Sequence, residues 1–117
     1  MRESVAKNKS FAFAVRVVKL YTHLCETKKE FVMSKQCLRS GTAVGAMVRE
    51  SEYAQSTADF IHKWTIGIKE ANESLYWLEL LHETKYIDSA SFESMKADAE
   101  ELLKIMTAGI KTAKAKI

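Results

Sequence analysis

Between Phe60 and Leu81 apolar residues recur every three or four positions: Phe60, Trp64, Gly67, Ile68, Ala71, Leu75, Leu78 and Leu81. This is the period of one helical face, sustained for about six turns, and a strand with its period of two cannot produce it. The pattern predicts a helix from Thr57 to about Thr84, roughly 40 Å long at 1.5 Å per residue. A rod of that length with an apolar stripe cannot stand alone in water, so the rest of the chain must supply partners that cover it.

The remaining segments have the same character. Phe11, Ala14, Val15, Val18 and Cys25 fall on one helical stripe, and Phe13, Val17, Leu20 and Leu24 form a second beside it. They predict a first helix that Ser10 can cap and that runs to about Thr27. A second helix is expected from near Met33 to about Glu52, with Cys37, Leu38, Gly41, Val44, Gly45 and Val48 inward. A fourth follows Asp88 or Ser89, where Phe92, Met95, Ala99, Leu102, Leu103, Met106, Ile110 and Ala113 keep near-heptad spacing. Ser56 with Asp59 resembles a capping box for the long helix. The 117 residues contain no proline and four glycines, too few turn makers for an all-β fold of tight hairpins. The expectation is an all-α, antiparallel up-down-up-down four-helix bundle over residues 11–115, preceded by a loose arm at residues 1–10.

Gly41 and Gly45 stand four apart inside the second helix, where each costs about 1 kcal/mol against alanine. They share a face, so they fit close approach of another backbone. A phosphate loop is excluded, because no Lys-Ser/Thr follows the second glycine and no strand precedes the first. Catalytic constellations are equally thin. Glu79 and His82 form a single Glu-x-x-His, whereas di-iron bundles need two copies and two further glutamates. Cys25 and Cys37 have no zinc-knuckle spacing, and nothing resembles a nucleophile elbow. The chain therefore reads as a non-enzyme with no metal and no cofactor. Two cysteines without a secretory segment point to reduced thiols in a cytoplasmic protein. The longest charge-free run, Ser40 to Val48, is too short for a membrane span.

Two surface features remain. Tyr76, Trp77 and Leu80 lie well away from the Leu75–Leu78–Leu81 stripe. With the double stripe of the first helix, they give more apolar surface than one bundle needs. Either a wide face packs on two neighbouring helices, or these residues form a subunit interface, where aromatics are enriched. The net charge of +3 is modest. Basic residues nevertheless pair at helical spacing, Arg16 with Lys19 and Lys35 with Arg39, and Lys111 lies in an acid-free stretch from Lys104 onward. These five are the candidate phosphate contacts, with solvated surface charge as the alternative.

The stretch "QCLRSGTAVGAMVRE" resembles the bacterial 23S rRNA intervening-sequence proteins, also called ribosomal-protein-like, whose relatives include accessory proteins of diversity-generating retroelements. Gln36, Arg39, Ser40, Val44, Ala46, Val48 and Glu50 match the pattern, as do Ser56, Asp59, Phe60, Lys69, Glu70, Ala71, Tyr76, Trp77 and Leu78. Met47 departs from it, standing where the family usually has Asn, and Arg49 is larger than the usual small residue. The resemblance implies a four-helix bundle assembling as a ring-shaped homo-oligomer, a pentamer. It also implies association with RNA or DNA, and with a reverse transcriptase or another protein partner. In such a ring each modest basic patch is multiplied by the number of subunits. The alternative is a protein-interaction scaffold that binds no nucleic acid.

Overall fold

In the computed structural model, residues 4–117 are described. They form four helices: α1 (Val5–His23), α2 (Met33–Ser51), α3 (Thr57–Glu83) and α4 (Ser89–Lys114), with a π-helical turn at Leu24–Lys28 extending α1. There is no strand among the described residues. Short links reverse the chain three times. Each helix packs on its sequence neighbour, and α1 closes against α4 to complete the bundle. The long axis is 48 Å, as expected for rods of this length with loops at both ends.

Local chemistry sets each start. Ser56 Oγ accepts the Asp59 N–H at 3.0 Å, and Asp59 accepts from Gln55 N at 3.1 Å, one residue before the cap. The expected reciprocal box is thus closed onto the preceding residue. Asp88 caps α4 by accepting the Ser91 N–H at 2.7 Å. The start of α2 is held by a residue that helix-start rules do not single out. Glu30, only 7 % exposed, accepts N–H bonds from Val32, Met33 and Ser34 at 3.0, 3.0 and 2.7 Å. Burial alone would raise its carboxyl pKa, but the bonds from Ser34, Met33 and Val32 outweigh it and hold the group below the ordinary carboxylate range.

The N-terminal arm expected over residues 1–10 is corrected from residue 5 onward, and residues 1–3 lie outside the described residues. Helix α1 starts at Val5, capped by Ser4 Oγ, which accepts the Lys7 N–H at 3.1 Å. Ser10 is not a cap but a buried residue in mid-helix, its hydroxyl donating to Lys7 O. Apolar periodicity is weak there because small side chains, Ala6 and Ser10, do the packing. A Cβ on Gly45 would sit 3.4 Å from the Ser10 carbonyl oxygen, so α1 and α2 run backbone to backbone at this point.

The core is built from the expected stripes. Phe13, Val17 and Leu24 of the α1 segment meet Cys37, Val44 and Val48 of α2. Ala71, Leu78 and Leu81 of α3 meet Met95, Ala99, Leu102 and Met106 of α4. Of the two stripes on α1, only the Phe13–Val17–Leu24 stripe is buried. Phe11, Val15 and Val18 are exposed, at 59, 38 and 45 %. At one end of the core the Trp64 indole lies over Gly109 and donates Nε1–H to Ser51 Oγ at 2.8 Å.

Candidate functional site

Four of the residues that carry the family resemblance, Arg39, Ser40, Glu70 and Trp77, meet at the α2–α3 contact. Arg39 reaches across to α3, bidentate on Glu70 at 3.1 and 3.2 Å, and bonds Glu73 at 2.6 Å. Trp77, one turn further along α3, donates Nε1–H to the same Glu73 oxygen at 2.9 Å. Beneath this cluster Ser74 Oγ donates to Glu70 O at 2.8 Å and so accepts from Ser40 Oγ, 2.9 Å away and fully buried. The Glu70 and Glu73 carboxylates fix Arg39 firmly in its charged form. Glu73 is held below the ordinary carboxylate range, first by Trp77 and then by Arg39. Met47, at the family's Asn position, faces α3, with its Cβ 3.7 Å from where a Gly67 Cβ would stand.

The five candidate basic residues therefore divide. Arg39 is tied to Glu70 and Glu73, and Arg16 bonds Asp98 of α4 at 2.6 Å. Lys19, Lys35 and Lys111 have no carboxylate within ion-pair distance among the described residues. Lys19 and Lys35 lie toward the end of the bundle that holds the π turn. Lys111 belongs to the last turns of α4, about 30 Å along the axis at 1.5 Å per residue. One chain thus does not gather them into a single patch. Lys104 and Lys111 instead flank a shallow groove on α4 with Leu103, Thr107 and Ala108.

The candidate interface residues divide as well. Tyr76 is 56 % exposed, while Trp77 is half-buried against the core, with Tyr76 edge-on to its ring at 4.9 Å. Leu80 is half-buried. The longest exposed apolar row is on α1, where Phe11, Val15 and Val18 follow i, i+4, i+7 spacing.

Two of the nucleophile and ligand candidates, Cys37 and His82, are built into the fold. Burial pushes the Cys37 thiol up to about 12, so it carries no thiolate at neutral pH. His82 Nε2 engages Ser89 Oγ at 3.1 Å, and its ring stacks flat on Phe92 at 4.4 Å. Among the described residues no three His, Cys, Asp or Glu side chains converge on a metal position. No helix is long and apolar enough to cross a membrane.

Two features had no signal in the sequence. The Glu30 cap lies in a stretch that reads as a polar link. A cavity of about 510 Å³ opens where the π turn meets the α3–α4 connection, lined by residues more than fifty positions apart, such as Leu20, His23, His82 and Ile87.

Fold and cross-helix ties together define an all-α protein of the four-helix-bundle class, with Arg39 tying α2 to α3. Over residues 2–108 the sequence matches the family described as 23S rRNA-intervening sequence protein, and the chain belongs to that family. It is similar to a crystallised protein of unknown function from the S23 ribosomal protein family of Bacteroides thetaiotaomicron. The two share 56% sequence identity at a TM-score of 0.90, over 92% of this chain and 96% of that one. No curated protein matches the chain.

Proposed function

We propose that this protein is a non-enzymatic, homo-oligomeric bundle that binds RNA through its phosphate backbone. The observation that carries this reading is which of the candidate basic residues the fold leaves without an ion-pair partner. Arg16 and Arg39 are internally neutralised, whereas Lys19, Lys35 and Lys111 project without carboxylate partners among the described residues. The family's description, which names a ribosomal RNA insertion, agrees with an RNA partner. Lysine acts on phosphate as a point charge and reads no bases, so binding is insensitive to sequence. Three scattered lysines give weak binding in one chain. Copies associated through the Phe11–Val15–Val18 row, with Tyr76 as a further exposed anchor, multiply those contacts.

The test is affinity for a structured RNA across a salt series, for the parent and for Lys19→Gln/Lys35→Gln/Lys111→Gln. The slope of log affinity against log salt is expected to flatten by about 2–3 in the variant if all three lysines touch phosphate. Absence of binding at low salt, or binding indifferent to salt, removes the proposal. One observation favours a second reading. The exposed α1 row is also what a protein scaffold presents to a partner such as a reverse transcriptase. A stoichiometric protein partner recovered from the source cell without nucleic acid would select that alternative.

A further inference from the structure

We infer that the cavity at the π-turn end of the bundle is a binding site for a phosphomonoester, borne either by a free mononucleotide or by the phosphorylated end of an RNA strand. Its volume of about 510 Å³ lies in the range of small-ligand pockets and far exceeds what a single water or ion needs. Its walls have two chemistries. Leu20, Tyr86 and Ile87 provide apolar and aromatic surface suited to a base or sugar. His23, Lys28, His82 and Lys85 provide nitrogen donors from three separate segments: the end of α1, the π turn, and the end of α3 with its following turn.

The charge balance favours an anion. Lys28 and Lys85 have no ion-pair partner among the described residues. The one acid in the lining, Asp88, is engaged by the Ser91 N–H. Two ammonium groups against one carboxylate leave the cavity one positive charge in excess before either imidazole is counted. The first turn of α4 forms another wall through Ser89 and Ser91 and brings the positive end of a 26-residue helix to the cavity. Ser89 already holds His82 Nε2, and Phe92 backs the ring, so Nδ1 is the imidazole nitrogen left for a ligand.

Backbone conformation adds an independent pointer. Only two non-glycine residues among those described have positive φ, Lys29 at 56° and Lys85 at 71°. Both lie at this end of the bundle, and Lys85 lines the cavity. Helices commonly end with glycine in this conformation, and a lysine there is less favourable by roughly 1 kcal/mol.

This site shares no residue with the backbone contacts proposed above, so the two stand or fall separately. The experiment titrates the full-length protein with AMP, with adenosine, and with one short single-stranded RNA carrying either a 5′-phosphate or a 5′-hydroxyl. Calorimetry gives the affinities, and the C–H proton resonances of His23 and His82 locate the site. AMP is expected to bind at least about tenfold more tightly than adenosine, a difference of about 1.4 kcal/mol. The variant Lys28→Gln/Lys85→Asn, whose Asn tolerates positive φ, is expected to lose that preference with no fall in melting temperature. A 5′-phosphate that strengthens RNA binding identifies a strand end as the source; AMP binding with RNA indifferent to its end identifies a free nucleotide. Equal binding of AMP and adenosine, no binding of either phosphorylated probe, or an unaltered phosphate preference in the double variant overturns the inference.

Discussion

Gly41 and Gly45 share one face of α2, yet alanine should have opposite effects at the two positions. A Cβ on Gly41 would stand 2.7 and 2.8 Å from the two methyl carbons of Val17 and 3.2 Å from its Cβ. Ordinary carbon–carbon contact is about 3.5–4.0 Å, so the overlap is close to 1 Å. Val17 is 1 % exposed, and its β-branched side chain is confined to one rotamer in a helix, so it cannot swing aside. The helices must separate, at about 3 kcal/mol for overpacking of this kind, against about 1 kcal/mol gained in helix propensity. At Gly45 the nearest atom to the added Cβ is the Ser10 carbonyl oxygen at 3.4 Å, an ordinary contact, and the propensity gain remains. Gly41→Ala should therefore be about 2 kcal/mol less stable than the parent and Gly45→Ala up to about 1 kcal/mol more stable. Urea denaturation at fixed protein concentration measures both, provided the m-values agree. The separation corresponds to roughly 10 °C in Tm. In a double-mutant cycle, Val17→Ala/Gly41→Ala should be more stable than the sum of the single losses, since the clash is removed. If Gly41→Ala is as stable as Gly45→Ala, the close approach at Val17 does not exist.

Three further outcomes follow from the same geometry. Glu30→Gln, which turns an amide toward N–H groups that need an acceptor, should cost about 2–3 kcal/mol at neutral pH. Because the folded-state pKa of Glu30 is depressed, its contribution is present above the unfolded value and is lost as pH falls through the folded one. The deficit between variant and parent in melting curves should thus shrink in acid, and a constant deficit would refute the ionised cap. Gly109→Ala drives a Cβ into the Trp64 ring and should lower stability by about 2 kcal/mol while reducing the Trp64 fluorescence signature of a buried indole. Phe11→Ser/Val18→Ser should reduce hydrodynamic size by sedimentation with helicity and melting cooperativity kept, and Trp77→Ala should do the same if Trp77 is an interface anchor. Unchanged sedimentation would exclude the respective residues from a subunit contact.

Four helices were legible in the order of residues, because each covers its own apolar stripe and the period of that stripe is a local property of the chain. Phe60 to Leu81 sufficed to place α3, and Ser56 and Asp88 marked starts that the backbone bonds to Asp59 and Ser91 bear out. Which stripe of α1 turns inward was not a local matter. Phe11–Val15–Val18 and Phe13–Val17–Leu24 are equally apolar, and the rotation of α1 is set by where α2 offers Gly41 and Gly45 to receive it. Residues 5–10 of the expected arm are helix because packing of Ala6 and Ser10 compensates for a weak local pattern. Arg39 could be singled out as basic and as part of a family pattern, but not as already neutralised, since Glu70 and Glu73 are more than thirty residues away along the chain. The cavity depends on the same long-range closure, with Leu20 and Ile87 meeting only when the two ends are folded together. The residues by themselves determined the rods and their apolar faces, since helical periodicity is written in neighbours three and four apart. Tertiary structure alone decided which charges are free and which faces stay wet, since ion pairing and burial depend on distances in space between segments far apart in the chain.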